Sequence, residues 1–207
     1  LAGAGKALEG LQVDDRPTAK MVACLDLVES LVAQGKSVIV WCIFKRSIRN
    51  VVRELRERGI TASAISGSTD MPSRARVIDS FKAGETSVLV TNPHTLAESV
   101  SLHSVCHDAV YFECSYNLVH LLQSKDRIHR LGLPQEQYTQ YHYLRAVYER
   151  RGGPWSLDRN IYERLQHKEQ VMLYSIDRGT SETGFTDERD LDLVFKGLFD
   201  DEEHRSE

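Results

Sequence analysis

Gln123, Asp126, Arg127, His129, Arg130 and Gly132 stand in one short run, Gln-Ser-Lys-Asp-Arg-Ile-His-Arg-Leu-Gly. On a helix, Gln123, Arg127 and Arg130 are offset by four and then three residues, so they project from one face. Two guanidiniums and an amide on one edge can grip a polyphosphate, because arginine stays charged and offers a planar fork of donors. Periodicity alone also allows a plainer reading, in which Asp126 and Arg130 form an i,i+4 pair on a solvated helix.

Two fragments imitate a phosphate-binding loop and lack its parts. Gly3-Ala4-Gly5-Lys6-Ala7 has Ala7 where a magnesium-holding hydroxyl belongs, and no strand precedes it. Gly35-Lys36-Ser37 has the hydroxyl but Ser30 in place of the first glycine, and it leads into a strand instead of following one. The chain is expected to have no nucleotide-phosphate cradle of its own. Cys24, Cys42, Cys106 and Cys114 show no CxxC spacing and read as buried free thiols of a reducing cytoplasm. His103 and His107 have ligand-like spacing but no second pair near them, so no metal site is expected.

The elements that must position the arginines alternate. Thr18 can cap a helix with Met21, Leu25, Val28 and Val32 on one face, ended by Gly35. Val38–Phe44 reads as a strand buried on both sides. Ile48, Val51, Val52 and Leu55 mark an amphipathic helix stopped by Gly59. Thr61–Ser66 is a short strand, and Pro72 opens a helix carrying Val77, Ile78 and Phe81. Strands follow at 88–91, 109–112 and 138–144, with a helix over 118–131 between the last two. Such alternation predicts an α/β fold with right-handed crossovers, a mostly parallel sheet, and ligand-facing loops at the carboxyl ends of its strands. Beyond Arg145 a linker, 149–154, leads to a helix with Ile161, Leu165, Met172 and Ile176 on one face.

The 207 residues carry 26 basic and 30 acidic side chains, a net charge of −4 that by itself argues against a nucleic-acid binder. From Asp187 onward there are nine acidic and three basic residues, so residues 1–186 hold 23 basic against 21 acidic. A mildly basic body with a solvated acidic tail is the better description. No apolar run approaches the ~20 residues of a membrane span, and no signal peptide is visible. The first residue is Leu, so a piece of a longer chain is expected. The expected divisions are a lead-in (1–17), an α/β lobe (18–148), a linker with a packing helix (149–180) and the acidic tail (181–207).

Gln-x-x-Asp-Arg-x-His-Arg-x-Gly resembles the last helicase motif of the superfamily-2 ATPases of the SWI/SNF type, in a bacterial or phage-like branch. Thr18-Ala19-Lys20-Met21 resembles the entry to that family's second lobe, and Val38–Phe44 its first strand. Ser66-Gly67-Ser68 with Arg74, Ile78 and Phe81 resembles the next motif. Val88–Thr91 leads into the penultimate one, Tyr116-Asn117 precedes the arginine segment at the family spacing, and Leu157–Lys168 resembles the helix that packs back on the lobe. The resemblance covers about residues 18–172. It implies a RecA-like (P-loop NTPase-type) three-layer sandwich with a C-terminal helical extension.

It also implies function: a DNA translocase or helicase lobe that supplies arginine fingers to ATP bound, with Mg2+, on an absent first lobe. Arg130 is the implied finger, with Arg127 beside it as the second catalytic arginine. Gln123, Glu98, Ser99 and Ser101 are the implied ATP contacts. Lys45, Ser47, Ser66, Ser68, Thr91 and Asn92, at strand-end loops, offer donors for the phosphates of double-stranded DNA, which fix position without reading sequence. Ala97 and Ser99 stand where the family has glycines, which restricts the backbone there. An RNA helicase lobe and a degenerate, non-catalytic RecA-like interaction module remain as alternatives.

Overall fold

Val38–Trp41, Val88–Thr91 and Asp108–Tyr111 are buried at every position, as strands covered on both faces must be. The computed structural model describes residues 17–96, 100–129, 137–150 and 153–178. In chain order these hold α1 (Ala19–Ala33), β1 (Val38–Trp41), α2 (Lys45–Glu57), β2 (Ala62–Ile65) and α3 (Met71–Lys82). There follow β3 (Val88–Thr91), β4 (Asp108–Tyr111), α4 (Leu118–Lys125), β5 (Gln140–Tyr143) and α5 (Leu157–Arg178). The strands form one sheet in the order β2-β3-β1-β4-β5, and every pairing is parallel.

Register explains the layers. Val38 pairs with Val88 and with Asp108, so alternate residues of neighbouring strands share a face. Val38, Val40, Val88 and Val90 pack beneath α1 and α2, against Leu25, Val28, Val51 and Leu55. Ile39, Trp41 and Leu89 face the other way, toward Phe81 of α3, Leu121 of α4 and Leu165 of α5. With α2 on one face and α3 and α4 on the other, the helical connections cover both faces of the sheet, as parallel strands require.

Local signals act where expected. Thr18 Oγ1 accepts the Met21 N–H at 3.2 Å and caps α1. Asp70 caps α3 by accepting the Ser73 N–H, so Pro72 falls at the second helical residue, not the first. Gly35 takes a φ of +77°, a left-handed value that favours glycine after a helix.

Three expectations need correction. The first strand ends at Trp41, because Cys42–Phe44 turn into α2. The arginine helix ends at Lys125, not Leu131. On α5, Ile161 and Leu165 pack on the sheet, but Ile176 is 67 % exposed, so the apolar stripe outlasts the surface it covers. The lead-in up to residue 16 and the acidic tail lie outside the described residues.

Trp41 is fully buried, and among the described residues its indole N–H meets no acceptor. Trp41→Phe removes an unsatisfied donor while leaving most of the ring volume, so it is expected to cost about 1 kcal/mol or less. Urea unfolding of wild type and variant checks this; a loss of about 2 kcal/mol or more would contradict the reading of the indole N–H as unbonded.

Candidate nucleotide and nucleic-acid interface

α4 starts beyond the carboxyl end of β4, where Asn117 Oδ1 accepts the Val119 N–H at 2.9 Å. It then runs back against the strand direction, as a crossover between parallel strands requires. At its end the backbone tightens: the Arg127 N–H bonds to Ser124 O and the Ile128 N–H to Lys125 O, both three residues back. Ile128, fully buried, fixes this turn to the core.

Tightening changes where the arginines go. Gln123 is half-buried on the helix, while Arg127 falls in the turn and points inward, only 9 % exposed. Its Nη1 donates to Val100 O at 3.3 Å, and its own carbonyl accepts the Leu102 N–H at 2.8 Å. Gln123 and Arg127 therefore do not share an open face, and the expected twin presentation of Arg127 and Arg130 is corrected for Arg127. Its geometry is that of a positioning residue, holding the loop between β3 and β4 against the arginine segment. Arg130, Glu98 and Ser99 lie outside the described residues, as does the glycine-poor Ala97. Ser101 is half-buried, its hydroxyl in contact with His103 Nδ1.

The strand-end residues divide in two. Lys45, first residue of α2, is exposed at the carboxyl end of β1, and Ser68 is exposed after β2, its hydroxyl 2.9 Å from that of Ser66. Thr91 is 0 % exposed under the α3 face, so its hydroxyl is not presented at the surface of this lobe. Ser47 and Asn92 are engaged by the fold: Ser47 Oγ donates to Glu113 Oε1 at 2.6 Å, and Asn92 Nδ2 donates to Ile43 O at 2.8 Å.

Two residues escaped the sequence reading as organisers. Arg74 donates to Thr69 O, Thr95 O and Ser66 O, tying the loop after β2 to the loop after β3. Glu113 accepts the N–H groups of Ile43 and Phe44 besides the Ser47 hydroxyl. The available signal for Glu113 was an acid placed two residues past the carboxyl end of a buried strand. Around this edge, Phe44 (64 %), Met71 and Val119 are exposed apolar side chains beside exposed Lys45, Arg46 and Arg49.

Gly35-Lys36-Ser37 sits at the amino end of β1, where Lys36 Nζ pairs with Asp108 Oδ2 at 3.3 Å and His142 Nε2 lies 3.2 Å from the other carboxylate oxygen. Its lysine is thus paired within the fold, at the wrong end of a strand for a phosphate cradle. Burial pushes the Cys24, Cys106 and Cys114 thiols up to about 12 and raises that of Cys42 well above its usual range, so all four stay protonated at neutral pH. Among the described residues no three His, Cys, Asp or Glu side chains gather as metal ligands, and no helix is long and apolar enough to cross a membrane.

His94 and His120 face each other near the ends of β3 and β4, ring centres 5.5 Å apart. Partial burial, and then His94, lower the pKa of His120 below the usual 6.5. His107 is lowered too, by burial against an opposing pull from Asp108. As pH falls below 6.5 the unfolded chain takes up protons at these positions before the folded one does, so stability falls with pH in that window. The unfolding midpoint is expected to be lower at about pH 5.5 than at about pH 7.5; an unchanged or higher midpoint would contradict this.

Residues 19–132, more than half of the chain, match the model of the helicase conserved C-terminal domain. The chain belongs to that family. This helicase C-terminal domain is 32 % identical over 100 residues to the ATP-dependent RNA helicase DBP3 of Chaetomium globosum, covering 48 % of the chain and 16 % of the relative. It is 26 % identical over 170 residues to the SWI/SNF-related matrix-associated actin-dependent regulator of chromatin subfamily A-like protein 1 of Xenopus laevis, covering 82 % of the chain and 16 % of the relative. The chain thus spans about a sixth of the length of these two proteins.

In fold it matches the C-terminal part of the Fun30 ATPase domain with a TM-score of 0.60 and 18 % identity, covering 79 % of the chain and 52 % of that structure. It also matches a Dbp5 variant of S. cerevisiae bound to RNA and ADP BeF3 with a TM-score of 0.56 and 18 % identity, covering 72 % and 35 %. The fold is the RecA-like one of helicase C-terminal lobes.

Proposed function

We propose that this helicase C-terminal domain is the second motor lobe of an ATP-dependent DNA translocase of the SWI/SNF type. In this reading a first lobe of the same protein holds ATP and Mg2+, and Arg130 reaches across the cleft to the phosphates. Arg127 sets the height and direction of that segment, and Gln123 and Ser101 border it. Lys45 and Ser68 contact the nucleic-acid backbone.

One contact carries the reading. Arg127 locks the segment that leads to Arg130 onto the Val100–Leu102 loop through two hydrogen bonds. Two stretches that the family resemblance assigns to the nucleotide are thereby joined, though they are 27 residues apart. The SWI/SNF-related relative supports the DNA assignment, since its similarity runs over 82 % of the chain and so beyond the matched domain.

The 32 % identity to an RNA helicase favours a second reading, an RNA-driven lobe. ATP turnover by the two-lobed parent protein, measured with duplex DNA and with RNA, decides between them. Stimulation by duplex DNA is expected; stimulation by RNA alone would overturn the DNA assignment.

A further inference from the structure

The turn from β1 into α2 is held by groups from both neighbouring strands. Phe44, the N-cap of α2, offers no side-chain acceptor of its own. Glu113, two residues past β4, supplies one instead. Its Oε2 accepts the Ile43 N–H at 2.8 Å and the Phe44 N–H at 3.1 Å, and its Oε1 accepts the Ser47 hydroxyl at 2.6 Å. From the β3 side, Asn92 donates to Ile43 O while its own Oδ1 accepts the His94 N–H.

A carboxylate at the start of a helix meets the positive end of the helix dipole, so the site suits it electrostatically. It also fills the place where a phosphate would otherwise dock, leaving the exposed Phe44, Lys45 and Arg46 as the outward-facing part of the turn. Beyond Glu113 the chain runs through Tyr116 and Asn117 into α4 and on to Arg127.

We propose that Glu113 is a positioning residue that fixes the β1–α2 turn for nucleic-acid contact and ties it to the strand that leads into the arginine segment. The assignment rests on the motor reading above. Its three acceptor contacts set where Lys45 and Phe44 stand; the carboxylate itself touches no phosphate. An amide of the same length can keep this geometry: Gln accepts the two backbone N–H groups with its oxygen and donates to the Ser47 hydroxyl with its nitrogen. Alanine can keep none of it.

The test is ATP turnover of the two-lobed parent protein titrated with duplex DNA and with RNA, for wild type, Glu113→Ala and Glu113→Gln. With the stimulating polymer, Glu113→Ala is expected to raise the half-saturating concentration by about tenfold, with a far smaller change in the rate at saturation. Glu113→Gln is expected to recover most of that loss. Amide exchange on the isolated chain, faster at Ile43 and Phe44 in the alanine variant only, shows that the clamp and not the fold was removed.

A Glu113→Ala protein with wild-type half-saturation overturns the positioning role and leaves the motor reading standing. A glutamine variant as weak as the alanine variant also overturns it, because charge and not placement would then be the active property. A wild-type protein that neither polymer stimulates overturns the motor reading itself, and this proposal with it.

Discussion

Arg130→Ala in the two-lobed parent protein is expected to cut ATP turnover by about 10³-fold or more and to leave ATP affinity almost unchanged. The reason is where charge develops. A guanidinium held against the transferred phosphoryl group stabilises charge that is spread over its oxygens only in the transition state. In the proposed motor, ground-state binding rests on the cradle and metal of the other lobe, which the substitution does not touch. Arg130→Lys is expected to recover little, since a single ammonium lacks the planar fork. Single-turnover hydrolysis and equilibrium binding of a fluorescent ATP analogue separate the two effects. A variant that hydrolyses at the normal rate removes the finger assignment, and one that loses binding in the same proportion makes Arg130 a ground-state contact.

Arg127→Ala is expected to act by a different route. Its side chain lies inward, and its Nη1 holds Val100 O while its backbone holds the Leu102 N–H. Losing the nearly buried charged donor to the Val100 carbonyl is expected to lower the stability of this 207-residue chain by about 2 kcal/mol. The loop at 100–102 then loses one of its two ties, so exchange of the Leu102 amide is expected to speed up. Turnover in the parent protein should fall as well, because the segment leading to Arg130 loses its reference point. Urea unfolding with amide exchange is the check. Wild-type stability and wild-type protection at Leu102, together with lost turnover, would return Arg127 to a direct role on the nucleotide.

The two arginines show what one-dimensional pattern conveys and what it omits. Their spacing, with Gln123, was legible, and so was the helix that begins before them. The end of that helix was not, because it is set by the burial of Ile128, a tertiary demand that helical periodicity does not express. Strand β3 coincides with its expected range, 88–91, since four apolar or β-branched residues stand between turn signals. Strand β1 stops three residues early for a concrete reason. Ile43 is apolar, but its backbone is engaged by Asn92 and Glu113, 49 and 70 residues away, and leaves the sheet.

The same separation explains the strand-end residues. Ser47, Thr91 and Asn92 carry the right chemistry for phosphate contact, yet two are tied to distant partners and Thr91 is buried. Type and loop position were readable, and free donors were not. The stripe of α5 repeats the lesson at larger scale: Ile161 and Ile176 belong to one pattern, but only the first has a sheet beneath it.

At the centre of the account is a lobe that contributes charge to a nucleotide it does not itself hold. Isothermal calorimetry of ATP with Mg2+ against the isolated 207-residue chain tests this most directly, beside the two-lobed parent protein under the same conditions. No heat of binding is expected for the lobe at concentrations up to about 1 mM, and clear binding is expected for the parent. A dissociation constant in the micromolar range for the isolated chain would contradict it.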